Sequence, residues 1–359
     1  MLTRAIVFSF VAVSVVSTQR QTAPLPEPQD AVQAIARLFD QHDVVMLGAV
    51  HGCIQFDELL KQLVTTPAFN DRVTDVVVEM GTARYQDVLD RYIAGENVNL
   101  DQLRRSWQDV LGAPNGIPVP PYHGLYAAVR EFNRTRPKDR RIRVLAGDPP
   151  IDWDIVRTPQ DIAPFRNRDA DYAGVVQDQV LARGHKALLV MRSLHFERQG
   201  GKPSAIETQL RAAHPSPYVV IAGSDIVATY ADVDPRFAQN SSSTHWPWLM
   251  PLPDTWLGRL PLRADSPWIG LPAATSSAPQ IGTWADAADA YLFLGPRDSL
   301  TAGGEAFDLE GTPYGAELRR RWTILGRQQP DRLPRSDGAV RPLYTKPPSV
   351  DRSAPRVRR

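Results

Sequence analysis

Between residues 30 and 222 the apolar positions switch between two spacings. Val32, Ile35, Leu38 and Phe39 recur at helical intervals, and a compact apolar segment that suits a strand follows, Val44–Leu47. After a turn from Gly48 to Gln55, the positions Phe56, Leu59, Leu60, Leu63 and Val64 predict a second helix. Val76–Val78 is a short continuous apolar run, the form of a strand buried on both faces. Tyr85, Val88, Leu89, Tyr92 and Ile93 predict another helix, and Leu100, Leu103, Trp107 and Leu111 one more. Leu125, Ala128, Val129 and Phe132 stripe a helix that leads into the strand Ile142–Ala146. Tyr172, Val175, Val176 and Val180 precede the strand Ala187–Met191, and Ile206, Leu210 and Ala213 precede Tyr218–Ala222. Such alternation predicts an α/β fold with a mainly parallel central sheet flanked by helices.

Beyond Gly223 the pattern changes. Residues 240–280 are rich in Pro, Ser and Trp, with Trp246, Trp248, Trp256 and Trp268 in loop-like context. This predicts a long C-terminal excursion that either packs on the sheet or covers a cleft as a lid. An apolar strand, Tyr291–Leu294, is expected to add an edge to the sheet, and a short helix, Tyr314–Trp322, to follow. The Pro/Arg-rich segment from 328 to 359 has little to bury and is expected to be disordered. At the other end, Arg4 and the apolar run Ala5–Val16 have the form of an export signal, with Ser14, Ser17 and Thr18 offering small residues for cleavage. The expected organisation is a signal at 1–18, a spacer at 19–29 and one α/β domain at 30–327, with its core at 44–222 and the lid or edge insertion at 223–327. Export would place the protein in the periplasm or outside the cell, with no stable membrane span after cleavage.

Composition narrows the function. Of 359 residues, 41 are Lys or Arg and 40 are Asp or Glu, and this near balance argues against a dedicated nucleic-acid binder. The single cysteine, Cys53, excludes an internal disulfide framework and any multi-thiolate metal site. Two residues from His51, it is either a soft ligand or nucleophile or, as for most lone cysteines at a helix entry, a packing residue. No Gly-x-Ser-x-Gly elbow and no phosphate-binding Gly-x-x-x-x-Gly-Lys loop is present. The tryptophans between 246 and 268 are either loop staples or a surface on which a sugar, macrolide or porphyrin ring stacks.

In open α/β sheets ligands sit at the carboxyl ends of the strands, and four polar residues occupy that station here. His51 follows the first strand within Gly48-Ala49-Val50-His51-Gly52, Glu79 follows Val76–Val78, Asp148 closes the strand from Ile142, and His195 lies four residues beyond Met191. Glu197 comes close behind. Each alone has a structural explanation: His51 as a helix cap, Glu79 as a partner of helix amides or of Arg84, Asp148 as a turn residue before Pro149-Pro150. Together they suit either a mixed nitrogen/oxygen metal site or a histidine base oriented by carboxylates.

At these residues the chain resembles a broad superfamily. Its members are the erythromycin esterase-like hydrolases, the ChaN-type haem-binding uptake proteins, and the Tiki and TraB metallopeptidase-like proteins. The resemblance runs from about Val44 to Ala222. It rests on the Gly48-x-x-His51 turn, on Glu79 with Arg84, on Arg130-Glu131-Phe132-Asn133 followed by Gly147-Asp148, on Arg168-Asp169 with Tyr172-Ala173, and on Leu189–His195 followed by Ser204 and Leu210. The Arg168-Asp169 and Gly147-Asp148 elements are most like the esterase branch. By resemblance, His51 is the general base or a metal ligand, Glu79 its partner, and His195 a second ligand or acid. Arg168 would hold a carboxylate or an anionic intermediate, and Asp148, Asp169 and Glu197 are secondary candidates.

The resemblance implies a cleft with a divalent metal (manganese, zinc or cobalt), with haem, or with no cofactor, acting on a small-molecule or peptide substrate. One departure separates the branches. Many members carry Gly-Glu-x-His at the first motif, and this chain has Ala49 in the glutamate position. The second histidine motif, Met191-Arg192-Ser193-Leu194-His195, also lacks a glycine. Two functions follow: an exported hydrolase of an ester or amide, or a haem- or small-molecule-binding uptake protein that keeps the cleft without catalysis.

Overall fold

The computed structural model describes residues 28–111, 124–198, 200–213, 217–223, 246–263 and 279–343. Expectations for the signal and spacer ahead of residue 28, for Trp268 and for the end of the tail lie outside these residues. Among the described residues the elements run β1 (Gln29–Asp30), α1 (Ala31–Leu38), β2 (Val44–Ala49), α2 (Ile54–Thr65), α3 (Pro67–Asn70) and β3 (Asp75–Thr82). Next come α4 (Gln86–Ile93), α5 (Leu100–Gln108), α6 (Leu125–Arg134), β4 (Arg143–Asp148), α7 (Pro159–Ile162), α8 (Arg168–Gln179), β5 (Ala187–Arg192), α9 (Ala205–Ala213) and β6 (Tyr218–Gly223). No helix among them is long and apolar enough to cross a membrane.

The fold is mixed α/β around one large sheet. With β7 (Trp248–Pro251) and β10 (Ala290–Phe293) the main sheet has the order β1-β7-β10-β6-β2-β5-β3-β4, while β8 (Pro261–Arg263) and β9 (Gln280–Thr283) pair with each other apart from it. The strands from β10 across to β4 are mutually parallel, and β7 runs against them. Side chains along each parallel strand alternate between two cores, as the two-residue period requires. Val45, Leu47, Val76 and Val78 face the core built with α1, α2 and α4–α6, while Val44, Met46, Val77 and Leu189 face the one built with α8 and α9.

The chain path explains why helices change face. From β2 through β3 to β4 the chain steps outward, and its helices cover one face. From β4 it turns back to β5, which inserts between β2 and β3, and then to β6. Because crossovers between parallel strands are right-handed, reversing the direction of travel puts the next helices on the opposite face. The adjacent strands β2 and β5 therefore send their following helices to opposite sides, which opens a crevice beyond their carboxyl ends.

Two parts differ from the sequence pattern. The strand at 290–293 lies inside the sheet rather than at its edge, because β7 and β1 add outside it. Trp248 and Trp256 accordingly pack into the core beside Tyr291 and Phe293, while Trp246 is exposed. The described start of the tail forms short pairs instead of remaining unstructured: Arg335–Asp337 pairs with Ala306–Asp308, and Arg341–Pro342 with Thr301–Ala302. Leu333 anchors it by packing with Leu309, Leu318 and Trp322.

At the end of β3 the register slips. Val78 pairs with Ala146 and Thr82 with Asp148, so Glu79, Met80 and Gly81 together stand opposite Gly147. A bulge of this kind re-aims side chains, and here it sets Glu79 at the sheet edge. Gly147 is required beside it, since a Cβ there would meet the Tyr172 ring at 2.5 Å and the Val78 carbonyl oxygen at 3.1 Å. Gly147→Ala is therefore expected to lower stability by about 1–3 kcal/mol, the usual cost of overpacking. Gly174→Ala, inside α8 with open space at its Cβ, should instead raise it by roughly 0.5–1 kcal/mol. Urea denaturation of the two variants checks both signs.

Candidate active site

The carboxyl ends of β2, β5, β3 and β4 lie side by side, and each contributes to one polar cluster. At its centre is Glu79, only 2% exposed. Its Oε2 accepts the Arg192 backbone N–H at 2.9 Å and lies 3.3 Å from His51 Nε2. Its Oε1 lies 3.7 Å from His195 Nε2 and 3.5 Å from the Arg168 guanidinium. His51 reaches this position because β2 stops at Ala49 and the turn before α2 passes through Gly52 at φ +77°, a conformation that L side chains rarely adopt. His195 ends a single 3-10 turn, Ser193–His195, directly after β5. That turn sits close against β2, and a Cβ on Gly48 would meet Ser193 Oγ at 2.4 Å.

The first residues of α8 complete the cluster. Asp169 Oδ1 lies 3.0 Å from His195 Nδ1, so both ring nitrogens of His195 face carboxylates. Arg168 Nε donates to Asp148 Oδ1 at 2.6 Å, and its guanidinium also donates to the Tyr172 hydroxyl. Tyr172 in turn donates to Asp148 Oδ1 at 2.7 Å. Arg168 and Tyr172 are one helical turn apart on the same face of α8, and the space over Gly147 lets the tyrosine ring reach Asp148. The Leu111 N–H donates to the other oxygen, Asp148 Oδ2.

The two buried carboxyls have opposite electrostatics. For Glu79, burial raises the pKa, but the hydrogen bond and charge of His51, the charge of His195 and the Arg192 N–H outweigh it and bring the group down to about 2. For Asp148, fully buried, desolvation prevails over Arg168, Tyr172 and the Leu111 N–H, and the pKa is raised. Burial likewise pushes Tyr172 well above its ordinary value. Arg168 loses solvation too, yet Asp148, Tyr172 and Glu79 more than restore its charge. The cluster thus holds an ionised glutamate and a fixed guanidinium in contact.

His51, Glu79, His195 and Arg168 come together, with Asp148 and Asp169 as partners of Arg168 and His195. Glu197 stands instead on the wall of an adjoining cavity of about 620 Å³, with Arg166, Arg168, Asp169, His195 and Lys202. Arg84 is not part of the cluster and pairs with Asp152 at 2.5 Å. Cys53 is buried at the start of α2, and burial raises its thiol pKa, as suits a packing residue rather than a nucleophile. Ala49 is buried at the end of β2, and Glu79 is the acid that faces His51. Tyr172 reads from sequence as an apolar helix position and as part of the Arg168-Asp169 motif, with no polar role; its spacing of four from Arg168 was the available signal. The Arg192 N–H has no side-chain signature at all.

Metal and haem make different demands on these side chains. Among the described residues no three His, Cys, Asp or Glu are arranged to hold one metal ion. Glu79 gives one oxygen to each imidazole, and a divalent ion there would face the Arg168 guanidinium, which already stands against the same carboxylate. Among the described residues, His51, Glu79 and His195 are thus not grouped as ligands of one manganese, zinc or cobalt ion. Haem needs an imidazole nitrogen for its iron and an apolar slot for its ring. Both nitrogens of His195 face carboxylates and the cavity beside it is largely charged, which speaks against haem on His195.

No family model matches the chain, and no curated protein matches it. Several solved structures share part of its topology. A Bacillus cereus protein is 11% identical, covering 76% of this chain and 95% of its own, with a TM-score of 0.43. The type III effector HopBA1 is 13% identical over 55% of this chain and 86% of its own, with a TM-score of 0.37. ChaN of Campylobacter jejuni, described with cofacially bound haem, is 12% identical over 53% of this chain and 85% of its own, with a TM-score of 0.34. Likenesses at this level say nothing of this chain's chemistry.

Because Glu79 sits at about 2 against an ordinary 4.5, its stabilising contribution is complete above pH 4.5 and is lost as the pH falls toward 2. The shift corresponds to on the order of 3 kcal/mol of stability. His51→Ala removes the main attraction that holds the carboxyl down, so the acid loss is expected to begin at a higher pH. A carboxyl carbon NMR titration of Glu79 in both proteins measures this directly; an unchanged midpoint contradicts it.

Proposed function

We propose that this protein is a hydrolase of carboxylic esters that works without a metal, with His51 as general base. What carries the reading is the buried, ionised Glu79 held between two imidazoles at the open edge of the sheet. A carboxylate beside an imidazole fixes the tautomer and stabilises the imidazolium that forms when the ring takes a proton. His51 is one-fifth exposed, so solvent reaches it. In the proposed reaction His51 accepts a proton from water while the oxygen adds to the ester carbonyl. The tetrahedral intermediate collapses with cleavage of the ester C–O bond, and the imidazolium returns its proton to the departing alcohol.

The other members of the cluster support that step. Arg168 is permanently charged, and the bonds to Asp148 and Tyr172 keep its guanidinium from turning, so positive charge stands ready beside the reacting centre. His195, held between Glu79 and Asp169, positions the Glu79 carboxylate. Ala49 then implies no loss of chemistry, because Glu79 supplies the acid facing His51.

The purified protein is expected to hydrolyse activated esters such as 4-nitrophenyl acetate, with activity retained after chelator treatment. His51→Ala should lower kcat roughly 100-fold or more while leaving the circular dichroism spectrum unchanged. Equal rates for the two proteins on every ester tried would overturn the assignment.

A further inference from the structure

The cavity beside His195 has a chemistry that the His51–Glu79 centre does not use. Its floor is the catalytic cluster itself, through Arg168, Asp169 and His195. These three are already engaged, Arg168 with Asp148 and Asp169 with His195. The remaining charged wall consists of Arg166, Lys202 and Glu197, two cations to one acid. Neither Arg166 nor Lys202 has an ion-pair partner among the described residues. They approach the cavity from separate elements, Arg166 just ahead of α8 and Lys202 just ahead of α9. The α8 N-terminus adds amide groups that the Asn167 side chain does not cap. Leu194, more than half exposed, and Pro203 form the apolar part of the wall.

Resting on the hydrolase reading, we infer that the substrate is an anionic ester whose carboxylate or phosphate is held by Arg166 and Lys202. Two cations that line one cavity can both meet an anion bound in it, and each charge-assisted hydrogen bond contributes more than a neutral one. The site lies on the His195 side of Glu79, with His51 on the other carboxylate oxygen. An anion bound there orients the rest of the molecule toward the base. Of the two roles expected of Arg168 from sequence, holding a substrate carboxylate thus belongs to Arg166, two residues earlier, because Arg168 is tied to Asp148 and faces the reacting centre. Since both cations are exposed, the attraction is screened by salt.

Two measurements on the full protein and on the combined Arg166→Gln, Lys202→Gln variant test this. In the first, succinate and inorganic phosphate are titrated separately while the ring signals of His195 are followed by NMR. Saturable shifts are expected for at least one anion, weakened about tenfold in the variant and by added salt. Which anion binds tells carboxylate from phosphate recognition. In the second, kcat/KM is compared for mono-4-nitrophenyl succinate and 4-nitrophenyl acetate. The ratio of charged to neutral ester should exceed one and fall about tenfold in the variant, chiefly through KM. Hydrolysis of both esters with no preference, and no anion-induced shift, would overturn the anion site and leave the hydrolase reading standing. Saturable anion binding that weakens in the variant, with neither ester hydrolysed, would remove the hydrolase reading and leave the anion site. Identical binding in both proteins would overturn the assignment to Arg166 and Lys202.

Discussion

A full negative charge at 2% exposure is the constraint around which this end of the molecule is organised. Burying an unpaired carboxylate costs more than the stability of a typical domain can absorb, so Glu79 must be surrounded by donors and positive charge. No single element supplies them. His51 comes from the turn after β2, the Arg192 N–H and His195 from the end of β5, and Arg168 from the start of α8. The insertion of β5 between β2 and β3 is what brings these groups to one carboxylate. If the chain passed through the sheet in simple sequential order, the second histidine motif would lie at a distant strand end.

The same constraint explains the glycines. Glu79 is aimed by a bulge, and a bulge opposite a side chain at 147 would leave no room for Tyr172. Without Tyr172, Asp148 and Arg168 would lose the hydroxyl that joins them, and the guanidinium beside Glu79 would lose its orientation. Local backbone choices and long-range electrostatics are therefore one problem here, and Gly48, which admits the Ser193 turn, belongs to it as well.

How much of this was legible in sequence depended on whether the signal was local. Helices and strands between 31 and 223 follow from periodicity, since each buries one stripe or both faces. The station of His51, Glu79, Asp148 and His195 at strand ends followed from the same reading. Partner identity did not. Arg84 is nearer to Glu79 in sequence than Arg168, yet the strand carries it toward Asp152. The strand at 290–293 is apolar on both faces whether it closes the sheet or lies inside it, and only the pairing of β7 decides. The described start of the tail, up to residue 343, departs from expectation because its apolar anchors are few and far apart: Leu333 packs with Trp322, and strand pairing with residues 301–308 needs no apolar pattern.

The contrast between the two carboxyls bears on what the cluster can do. Asp148 is wholly enclosed and serves Arg168 and Tyr172, so its electrostatic influence is spent inside the protein. Glu79 is nearly as buried but is ionised, and each of its oxygens faces an imidazole that is itself partly exposed. His195 meets a carboxylate at each nitrogen, which fixes its ring and ties it to both Asp169 and Glu79. His51 reaches the other oxygen of Glu79 and is one-fifth exposed. Two histidines that look alike in sequence thus meet one carboxylate by different routes, His51 from the turn after β2 and His195 from the end of β5 with Asp169 behind it at the start of α8.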